Sequence, residues 1–255
     1  MKDWTVEMAE YRFGVNGFEV EVHYTDTAIE AVFLPLLQTL TALQGTLNRR
    51  TIVFLAGPPG AGKSTLAAFL EYLSRHTPGL TPVQALGMDG FHYPQAYILA
   101  HTVRREGREI PMQSIKGAPE SFNAVKLAEK LDQVSLENVR WPVYDRRMHD
   151  VVEDQIEVTA DILLVEGNWL LLDELPWQNM QCDYSVFIGA NASLLRKRLI
   201  SRKMRGGLDS LAAEAYYDAC DGPNILRCME HSRPASLTLM LDDAGEYYEV
   251  QEKPV

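Results

Sequence analysis

The sequence predicts an α/β protein built on a doubly wound, mostly parallel β-sheet. Residues 51–56 form a continuous apolar run that ends at a glycine, as expected of a central strand covered on both faces. Three more short runs, at residues 83–88, 161–165 and 184–188, each end in a polar residue or a glycine. Helix-like stretches separate these runs. Strands that alternate with helices in this way are typical of a doubly wound sheet.

Acidic residues follow two of these predicted strands. Asp89 comes directly after residues 83–88, and Glu166 comes directly after residues 161–165. In open parallel sheets, ligands bind beyond the carboxyl ends of the strands. The pattern therefore places both carboxylates at one rim of the sheet, where we expect the functional site.

About 50 residues precede this core. Residues 10–24 alternate apolar and polar side chains on both sides of Asn16-Gly17, which predicts a hairpin with a two-residue turn. Thr25 is suited to cap the apolar helix that follows, and we expect Pro35 to kink that helix or to mark its start.

The chain divides into two predicted units. Residues 1–48 are an extension made of the hairpin and the helix, and residues 49–255 form the main domain. The last segment, residues 236–250, alternates on both sides of an Asp-Asp-Ala-Gly turn, and we expect it to form a closing hairpin.

A glycine-rich loop joins the first apolar run to the next predicted helix. It matches the pattern G-x-x-x-x-G-K-[S/T], and its residues are Gly57, Pro58, Pro59, Gly60, Ala61, Gly62, Lys63, Ser64 and Thr65. In this motif, backbone N–H groups and the positive end of the helix hold phosphates. Lys63 would reach the β- and γ-phosphates, and the Ser64 hydroxyl would hold Mg²⁺. The loop therefore predicts ATP and Mg²⁺ as ligands.

The loop alone does not distinguish a kinase from a GTPase or a motor ATPase. A GTPase would carry an Asn-Lys-x-Asp-type guanine motif, which the sequence lacks. Asp89 could accept the proton of a substrate hydroxyl that attacks the γ-phosphate, and Glu166 could lie beside Mg²⁺. Each carboxylate is also compatible with a structural role in a cap or a turn.

The densest positive charge in the chain lies in residues 194–205. Arg198, Arg202 and Arg205 share one face of the predicted helix because they are four and three residues apart. Such a helix can close over the transferring phosphoryl group and neutralise its charge, so we place a lid around residues 194–220. The alternative is a solvated charged face.

The composition argues against several partners. With 24 basic and 35 acidic residues, the net charge of −11 is unfavourable for binding nucleic acid or an anionic membrane. The three cysteines show no C-x-x-C spacing and predict free thiols. The N-terminus lacks a signal-peptide pattern and we expect no apolar run of membrane-spanning length, so we expect a cytoplasmic protein.

From about residue 51 to about residue 241, the chain resembles the uridine kinase, phosphoribulokinase and pantothenate kinase group of P-loop kinases. Four motifs after the phosphate loop carry this resemblance: Met-Asp-Gly-Phe-His-Tyr-Pro (88–94), Lys-Gly-Ala-Pro-Glu-Ser-Phe-Asn (116–123), Trp-Pro-Val-Tyr-Asp (141–145) and Leu-Val-Glu-Gly-Asn-Trp (164–169). Within the group, the chain is similar to bacterial nucleoside/nucleotide kinase family proteins, some of which are labelled fructose-system kinases.

The resemblance implies a set of site residues. Together with the motif analysis, it gives the catalytic residues as Asp89, Lys63 and Arg202. The metal would be held by Ser64 and Glu166. The nucleotide would be held by the phosphate loop with Arg198 and Arg205. The acceptor would contact His92, Tyr93, Lys116, Asn123, Tyr144 and Asp145. Asn123 stands where the family often has an aspartate, so a contact there would lack charge.

We therefore expect an ATP- and Mg²⁺-dependent kinase that phosphorylates a hydroxyl of a small metabolite, with sugar, nucleoside and pantothenate-like alcohols all open. One alternative is a regulatory protein that hydrolyses ATP slowly. Another is a nucleoside monophosphate kinase, in which Lys116 and Arg146 or Arg147 supply a second phosphate site. The extension is a candidate surface for a homodimer or a candidate wall of the acceptor pocket.

Overall fold

A central β-sheet flanked by helices organises the chain. The computed structural model describes residues 9–15, 18–105 and 107–250. The strands are β1 (Ala9–Val15), β2 (Phe18–Tyr24), β3 (Thr51–Ala56), β4 (Val83–Gly87), β5 (Thr102–Arg105), β6 (Arg108–Pro111), β7 (Arg140–Asp145), β8 (Asp150–Glu157), β9 (Ile162–Gly167), β10 (Tyr184–Ala190), β11 (Leu237–Leu241) and β12 (Tyr247–Val250). The helices are α1 (Asp26–Gln44), α2 (Lys63–His76), α3 (Gln95–Ala100), α4 (Ala124–Leu136), α5 (Ala192–Arg205), α6 (Ser210–Tyr216) and α7 (Gly222–His231).

The central sheet has the strand order β12-β11-β10-β3-β9-β4. Its neighbouring strands are parallel except for β11 and β12, which form the predicted closing hairpin. In the register of the sheet, Glu166 of β9 lies opposite Leu55 of β3 on one side and Gly87 of β4 on the other. The predicted fold class is confirmed, and the carboxyl ends of β3, β4 and β9 meet at one rim.

The central strand β3 separates two hydrophobic cores. All six of its residues are buried, with Val53 and Leu55 in one core and Ile52 and Phe54 in the other. Successive side chains of a strand point to opposite faces, which is why a continuous apolar run suits this position. Each fully buried side chain of this size contributes about 1.5–3 kcal/mol to folding, so the two cores fix β3 firmly in the sheet.

The N-terminal extension packs onto the first of these cores. β1 and β2 pair as the predicted hairpin, whose Asn16-Gly17 turn lies outside the described residues. In α1, the Thr25 hydroxyl accepts a hydrogen bond from the backbone N–H of Ala28, as predicted for a cap. Tyr24 lies with its ring centroid 4.5 Å from that of Phe69 on α2, so hairpin and sheet share one apolar interior.

Pro35 lies inside α1, where it is the second residue of the α-helical segment Leu34–Gln44 and so marks the start of that segment. A π-helical turn, Ile29–Phe33, forms the preceding part of the helix. Proline has no N–H for the carbonyl four residues earlier, and the wider π turn lets the chain pass that position without ending the helix.

Helix α1 corrects one expectation from the sequence. It is long and apolar enough to cross a membrane, judged by length and composition alone, with a mean hydropathy of 1.2. In the structure, Leu37 and Leu40 are buried in the core beside the sheet, while Glu30 and Gln38 are exposed. This amphipathic arrangement is that of a helix packed on a protein core.

Two small hairpins were not expected from the sequence. β5 pairs with β6, and β7 pairs with β8, both antiparallel. The indole N–H of Trp141 on β7 donates to the carbonyl of Gly87 at 2.9 Å, which docks the second hairpin at the end of β4. The polar cluster at residues 144–150 is the turn region of that hairpin, so it lies beside the rim of the sheet.

An ion-pair network joins α7 to two loops. The guanidinium of Arg227 donates to Glu120 at 2.8 Å and to Glu174 at 3.0 Å, and Arg105 also binds Glu120 at 2.6 Å. Hydrogen bonding to Arg227 lowers the pKa of Glu174. At Glu120, burial raises the pKa, but the hydrogen bonds from Arg105 and Arg227 outweigh burial, so the pKa is lowered overall.

We expect Arg227→Gln to lower the free energy of unfolding by about 1–2 kcal/mol at pH 7 because Glu174 loses its arginine and Glu120 keeps only Arg105. Carboxyl groups with a lowered pKa stabilise the fold above their unfolded-state pKa and lose that effect as the pH falls. The difference between wild type and variant should therefore shrink below about pH 4.5. Urea unfolding at several pH values measures it.

The matched control is Arg75→Gln, which removes an exposed pair with Glu71 one turn away on α2. We expect that change to cost less than about 0.5 kcal/mol. Equal losses in the two variants, or a difference that does not depend on pH, would contradict the importance of the network.

Candidate active site

The phosphate loop lies between the end of β3 and the start of α2. A Cβ atom at Gly57 would lie 2.4 Å from the carbonyl oxygen of Ile188, so the loop passes too close to β10 for a side chain. Gly62 has a φ of 87°, and a Cβ there would lie 2.7 Å from the hydroxyl of Tyr247. Because α2 begins at Lys63, its positive end borders the loop. This cradle of backbone beside a helix N-terminus suits the phosphates of a nucleotide.

Lys63 is held inside this loop. Its ammonium donates to the carbonyl of Pro58 at 3.0 Å and to the side-chain oxygen of Asn168 at 2.6 Å. The residue is only 6% exposed, and burial lowers the pKa of the amine. Lys63 therefore stands at the phosphate loop with its orientation fixed from two sides.

Ser64 and Glu166 meet below the loop. The Ser64 hydroxyl donates to Oε1 of Glu166 at 2.7 Å. Burial, followed by the charge of Asp89, raises the pKa of Glu166 to about 7, while Lys63 and the Ser64 hydrogen bond act in the opposite direction. A hydroxyl beside a carboxylate is an all-oxygen set, as Mg²⁺ prefers. A divalent cation there would favour the ionised form of Glu166, so the residues fit the predicted metal.

Metal ions that are enclosed by protein ligands need more donors than this. Within the described parts of the chain, no group of three or more His, Cys, Asp or Glu side chains could hold a metal ion. Mg²⁺ in nucleotide sites usually takes one or two protein ligands and fills the rest with phosphate oxygens and water. The pair therefore matches a metal that arrives with a nucleotide.

Asp89 lies on the 3₁₀ turn Met88–Phe91, which follows β4 directly. Oδ2 of its carboxylate is 3.7 Å from the guanidinium of Arg146, which the β7–β8 hairpin carries to the rim. A groove of about 800 Å³ is lined by Asp89, Ser64, Glu166 and Arg146, and by Gly14 of β1 on another side. The structure thus brings the predicted base and the two predicted metal ligands to one cavity.

The predicted acceptor residues lie around this turn. His92 packs against Phe122 and Tyr144 with ring-centroid distances of 3.8 and 5.2 Å, and burial lowers the pKa of its imidazole. Tyr93 stacks on the ring of Tyr97 at 4.4 Å.

Lys116 meets the same group of side chains from the next loop. Its ammonium contacts the Tyr144 hydroxyl at 2.8 Å and the carbonyl of His149 at 3.3 Å. The predicted Lys-Gly-Ala-Pro-Glu-Ser and Pro-Val-Tyr-Asp segments are therefore adjacent in space.

Two predicted acceptor residues have local structural partners. The side-chain oxygen of Asn123 accepts from the backbone N–H of Lys126 at 3.0 Å and caps α4. Oδ1 of Asp145 accepts from the N–H groups of Arg147 and Met148 at 2.7 and 3.1 Å in the hairpin turn. Asn and Asp favour these cap and turn positions. Their contact with an acceptor stays a prediction.

The three arginines of α5 lie at different distances from the loop. Arg198 reaches the carbonyl of Gly60 at 3.4 Å. Arg202 is exposed; partial loss of hydration lowers its pKa, and the charges of Asp221, Arg146 and Asp89 also influence it. Arg205 is exposed in the last turn. Of the three, Arg198 therefore contacts the phosphate loop.

Sequence reasoning gave no role to two residues of the site. Asn168 orients Lys63 by accepting a hydrogen bond from its ammonium. The sequence could have indicated this residue, because Asn168 follows Glu166 by two positions at the same strand end. The Tyr247 hydroxyl donates to the carbonyl of Ala61 at 3.1 Å. Tyr247 and Ala61 are 186 positions apart in the sequence, and no local sequence pattern connects them.

Comparisons with known proteins identify the family. No family model matches the chain. It is 48% identical over 238 residues to the uncharacterized protein YggC of Escherichia coli K12, covering 92% of this chain and 96% of that protein. It is 32% identical over 176 residues to the Schizosaccharomyces pombe protein named "Putative uridine kinase C227.14", covering 66% of this chain and 72% of that protein.

A solved structure agrees with these relatives. The crystal structure of a "putative fructose transport system kinase" from Silicibacter sp. TM1040 superposes with a TM-score of 0.72 at 28% identity, covering 81% of this chain and 98% of that one. The fold and the site define a P-loop kinase. The chain belongs to the group that includes uridine kinases and pantothenate kinases, and it is a phosphotransferase of that group.

We expect Gly90→Ala to disrupt the turn that carries Asp89. A Cβ at Gly90 would lie 2.2 Å from the carbonyl oxygen of Pro142, so the turn or the β7–β8 hairpin must move. Overpacking of this kind costs about 1–3 kcal/mol. Thermal unfolding should show a clear loss of stability.

The control for this prediction is Gly14→Ala in β1, where nothing lies within 4 Å of the added Cβ. Its melting temperature should stay close to that of the wild type. A Gly90→Ala variant with unchanged stability would show that the turn has room to move.

Proposed function

We propose that the protein uses ATP and Mg²⁺ to phosphorylate a hydroxyl group of a small metabolite. The observation that carries this proposal is the convergence of Asp89, Glu166 and the phosphate loop on one groove. In-line phosphoryl transfer needs a held triphosphate, a metal position and a group that takes the acceptor proton. These three requirements are met by residues at the ends of three adjacent strands.

Each group at the rim has a proposed task. Bound MgATP would supply the phosphoryl group, and its metal ion would offset part of the negative charge of the phosphates. Lys63 and Arg202 offset the charge that remains on the γ-phosphoryl oxygens, while Ser64 and Glu166 hold the metal. Asp89 orients the acceptor hydroxyl and takes its proton. Arg146, 3.7 Å from Asp89, keeps that carboxylate turned towards the groove.

Tyr144 and Asp145 line the acceptor side of the groove, and His92 and Lys116 contact Tyr144. Together these residues offer aromatic rings, a hydroxyl and charged groups. Such a lining suits a polar alcohol that is recognised by stacking and hydrogen bonds. The names of the relatives include uridine kinase, pantothenate kinase and a fructose transport system kinase, so nucleosides, pantothenate-like alcohols and sugars are the classes we propose.

A nucleoside monophosphate is the second candidate acceptor class. In the described chain, the hydrogen bonds of Lys116 go to neutral partners, Gln95, Tyr144 and the carbonyl of His149. Arg146 lies on the same hairpin as Tyr144. A phosphate on the acceptor would give Lys116 an anionic partner and Arg146 a second one beside Asp89.

We expect Asp89→Asn to keep nucleotide binding and to lose most of the turnover. Removing a general base lowers kcat by about 10²–10⁴-fold, while the phosphate loop remains unchanged. Titration calorimetry with ATP and a coupled assay of ADP release measure the two effects. Lys63→Ala should weaken both binding and turnover.

The control variant is Asp243→Asn, which changes an exposed carboxylate in the β11–β12 turn. It should match the wild type in both assays. Full turnover in Asp89→Asn would remove the base assignment without affecting the assignment of the phosphate loop.

We expect one acceptor class to stimulate ADP release by the wild type. The screen offers sugars, nucleosides, nucleoside monophosphates and pantothenate-like alcohols to the wild type and to Asp89→Asn in parallel. A signal that needs both one acceptor and Asp89 identifies the substrate class. ATP hydrolysis that no acceptor changes, and that Asp89→Asn leaves intact, would favour a regulatory ATPase.

A further inference from the structure

Asp221 carries a carboxylate oxygen, Oδ2, that is buried in the structure. The residue is 7% exposed, and within the described parts of the chain its Oδ2 atom is fully buried and makes no hydrogen bond. Leaving a buried carboxylate unpaired is costly, and folded proteins rarely do so. The Oδ2 atom of Asp221 therefore needs a donor that reaches it in another conformation of the protein.

The place of Asp221 in the fold links two parts of the site. It ends a π-helical turn, Tyr217–Asp221, between α6 and α7, and such turns occur frequently at functional sites. On one side, the thiol of the preceding Cys220 approaches the carbonyl of Lys116 at 3.5 Å. The acceptor-side loop therefore packs directly against the turn.

The lid helix α5 borders the other side of Asp221. The ammonium of Lys203 lies 3.4 Å from the ring centroid of Tyr216, the residue that directly precedes the π-helical turn. Burial raises the pKa of Asp221, and the charges of Lys203 and then Arg202 act against that rise. Helix α5 packs against the π-helical turn, so Lys203 lies beside the segment that carries Asp221.

Arg202 precedes Lys203 on α5, and the charges of Asp221, Arg146 and Asp89 all influence its pKa. In phosphoryl transfer as proposed above, Arg202 turns towards the γ-phosphoryl group. That movement takes a cation away from Asp221. Lys203 is the next residue of the same helix and can leave the Tyr216 ring to replace it. A charge-assisted hydrogen bond to a buried carboxylate is stronger than a cation–π contact at a partly exposed ring.

We propose that Asp221 is a positioning residue of the lid, whose unpartnered oxygen binds the ammonium of Lys203 and so holds α5 over the nucleotide. This inference rests on the proposed phosphoryl transfer. Arg202 acts on the phosphates, and the Asp221–Lys203 pair fixes the helix rotation that presents Arg202. Neither member of the pair needs to touch the substrate.

Hydrogen exchange of the lid tests this proposal without knowledge of the acceptor. The probe is Mg²⁺ with a non-hydrolysable ATP analogue, and calorimetry on each protein measures its binding separately. In the wild type we expect the analogue to slow exchange in residues 192–221 by at least about threefold. Asp221→Asn and Lys203→Met should each lose that protection, and the double variant should lose no more than either single variant.

Three controls make the result specific. Asp218→Asn changes an exposed carboxylate on the same π-helical turn and should keep the protection. Lys203→Arg keeps the charge and should also keep it. Asp89→Asn should bind the analogue and close normally, which separates the lid from the proton transfer.

The outcomes separate the two proposals. Protection that survives in Lys203→Met, or losses that add independently in the double variant, overturn the ion pair. Lys203→Met gives this answer even if Asp221→Asn does not fold. A wild type that binds the analogue without protecting the lid overturns the lid role alone. A wild type that fails to bind the analogue overturns the proposed function itself, together with the inference built on it.

Discussion

The alignment of three parallel strands is the constraint on which the site depends. Glu166 lies in register with Leu55, which precedes the phosphate loop, and with Gly87, which precedes the Asp89 turn. A slip of one residue in β9 would turn Glu166 to the other face of the sheet and remove its contact with Ser64. The two apolar cores oppose that slip because a shifted strand would exchange side chains between two closely packed interiors that do not fit them.

The charges at the rim are held by this scaffold at a cost. Burial lowers the pKa of Lys63 and raises that of Glu166, so each group lies where its charged form is disfavoured. Their mutual attraction offsets part of the effect, and Asn168 and Ser64 supply hydrogen bonds. Shifted titratable groups that converge in one cleft are typical of catalytic sites. Stability alone would favour apolar side chains there.

The sequence predicts the parts of the molecule that depend on local pattern. Continuous apolar runs indicate buried parallel strands, and the glycine spacing of the phosphate loop indicates its function, because both signals are contained in a few neighbouring residues. The contact between Tyr247 and the carbonyl of Ala61 is not predictable in this way, since the sheet brings together residues from opposite ends of the domain. The β7–β8 hairpin was missed for another reason. Its turn is rich in charges, and a charged segment resembles a solvated surface until Trp141 is seen to dock it on β4.

The walls of the groove explain why the reaction is easier to recognise than the acceptor. The phosphate end is made by β3, β4, β9 and α2, the shared core of the fold. The remaining walls come from the β7–β8 hairpin and from Gly14 of the N-terminal hairpin. These elements rest on the core through side-chain packing, such as Tyr24 on Phe69. Substitutions in them can therefore change the shape offered to an alcohol while the strand ends, and with them phosphoryl transfer, stay unchanged.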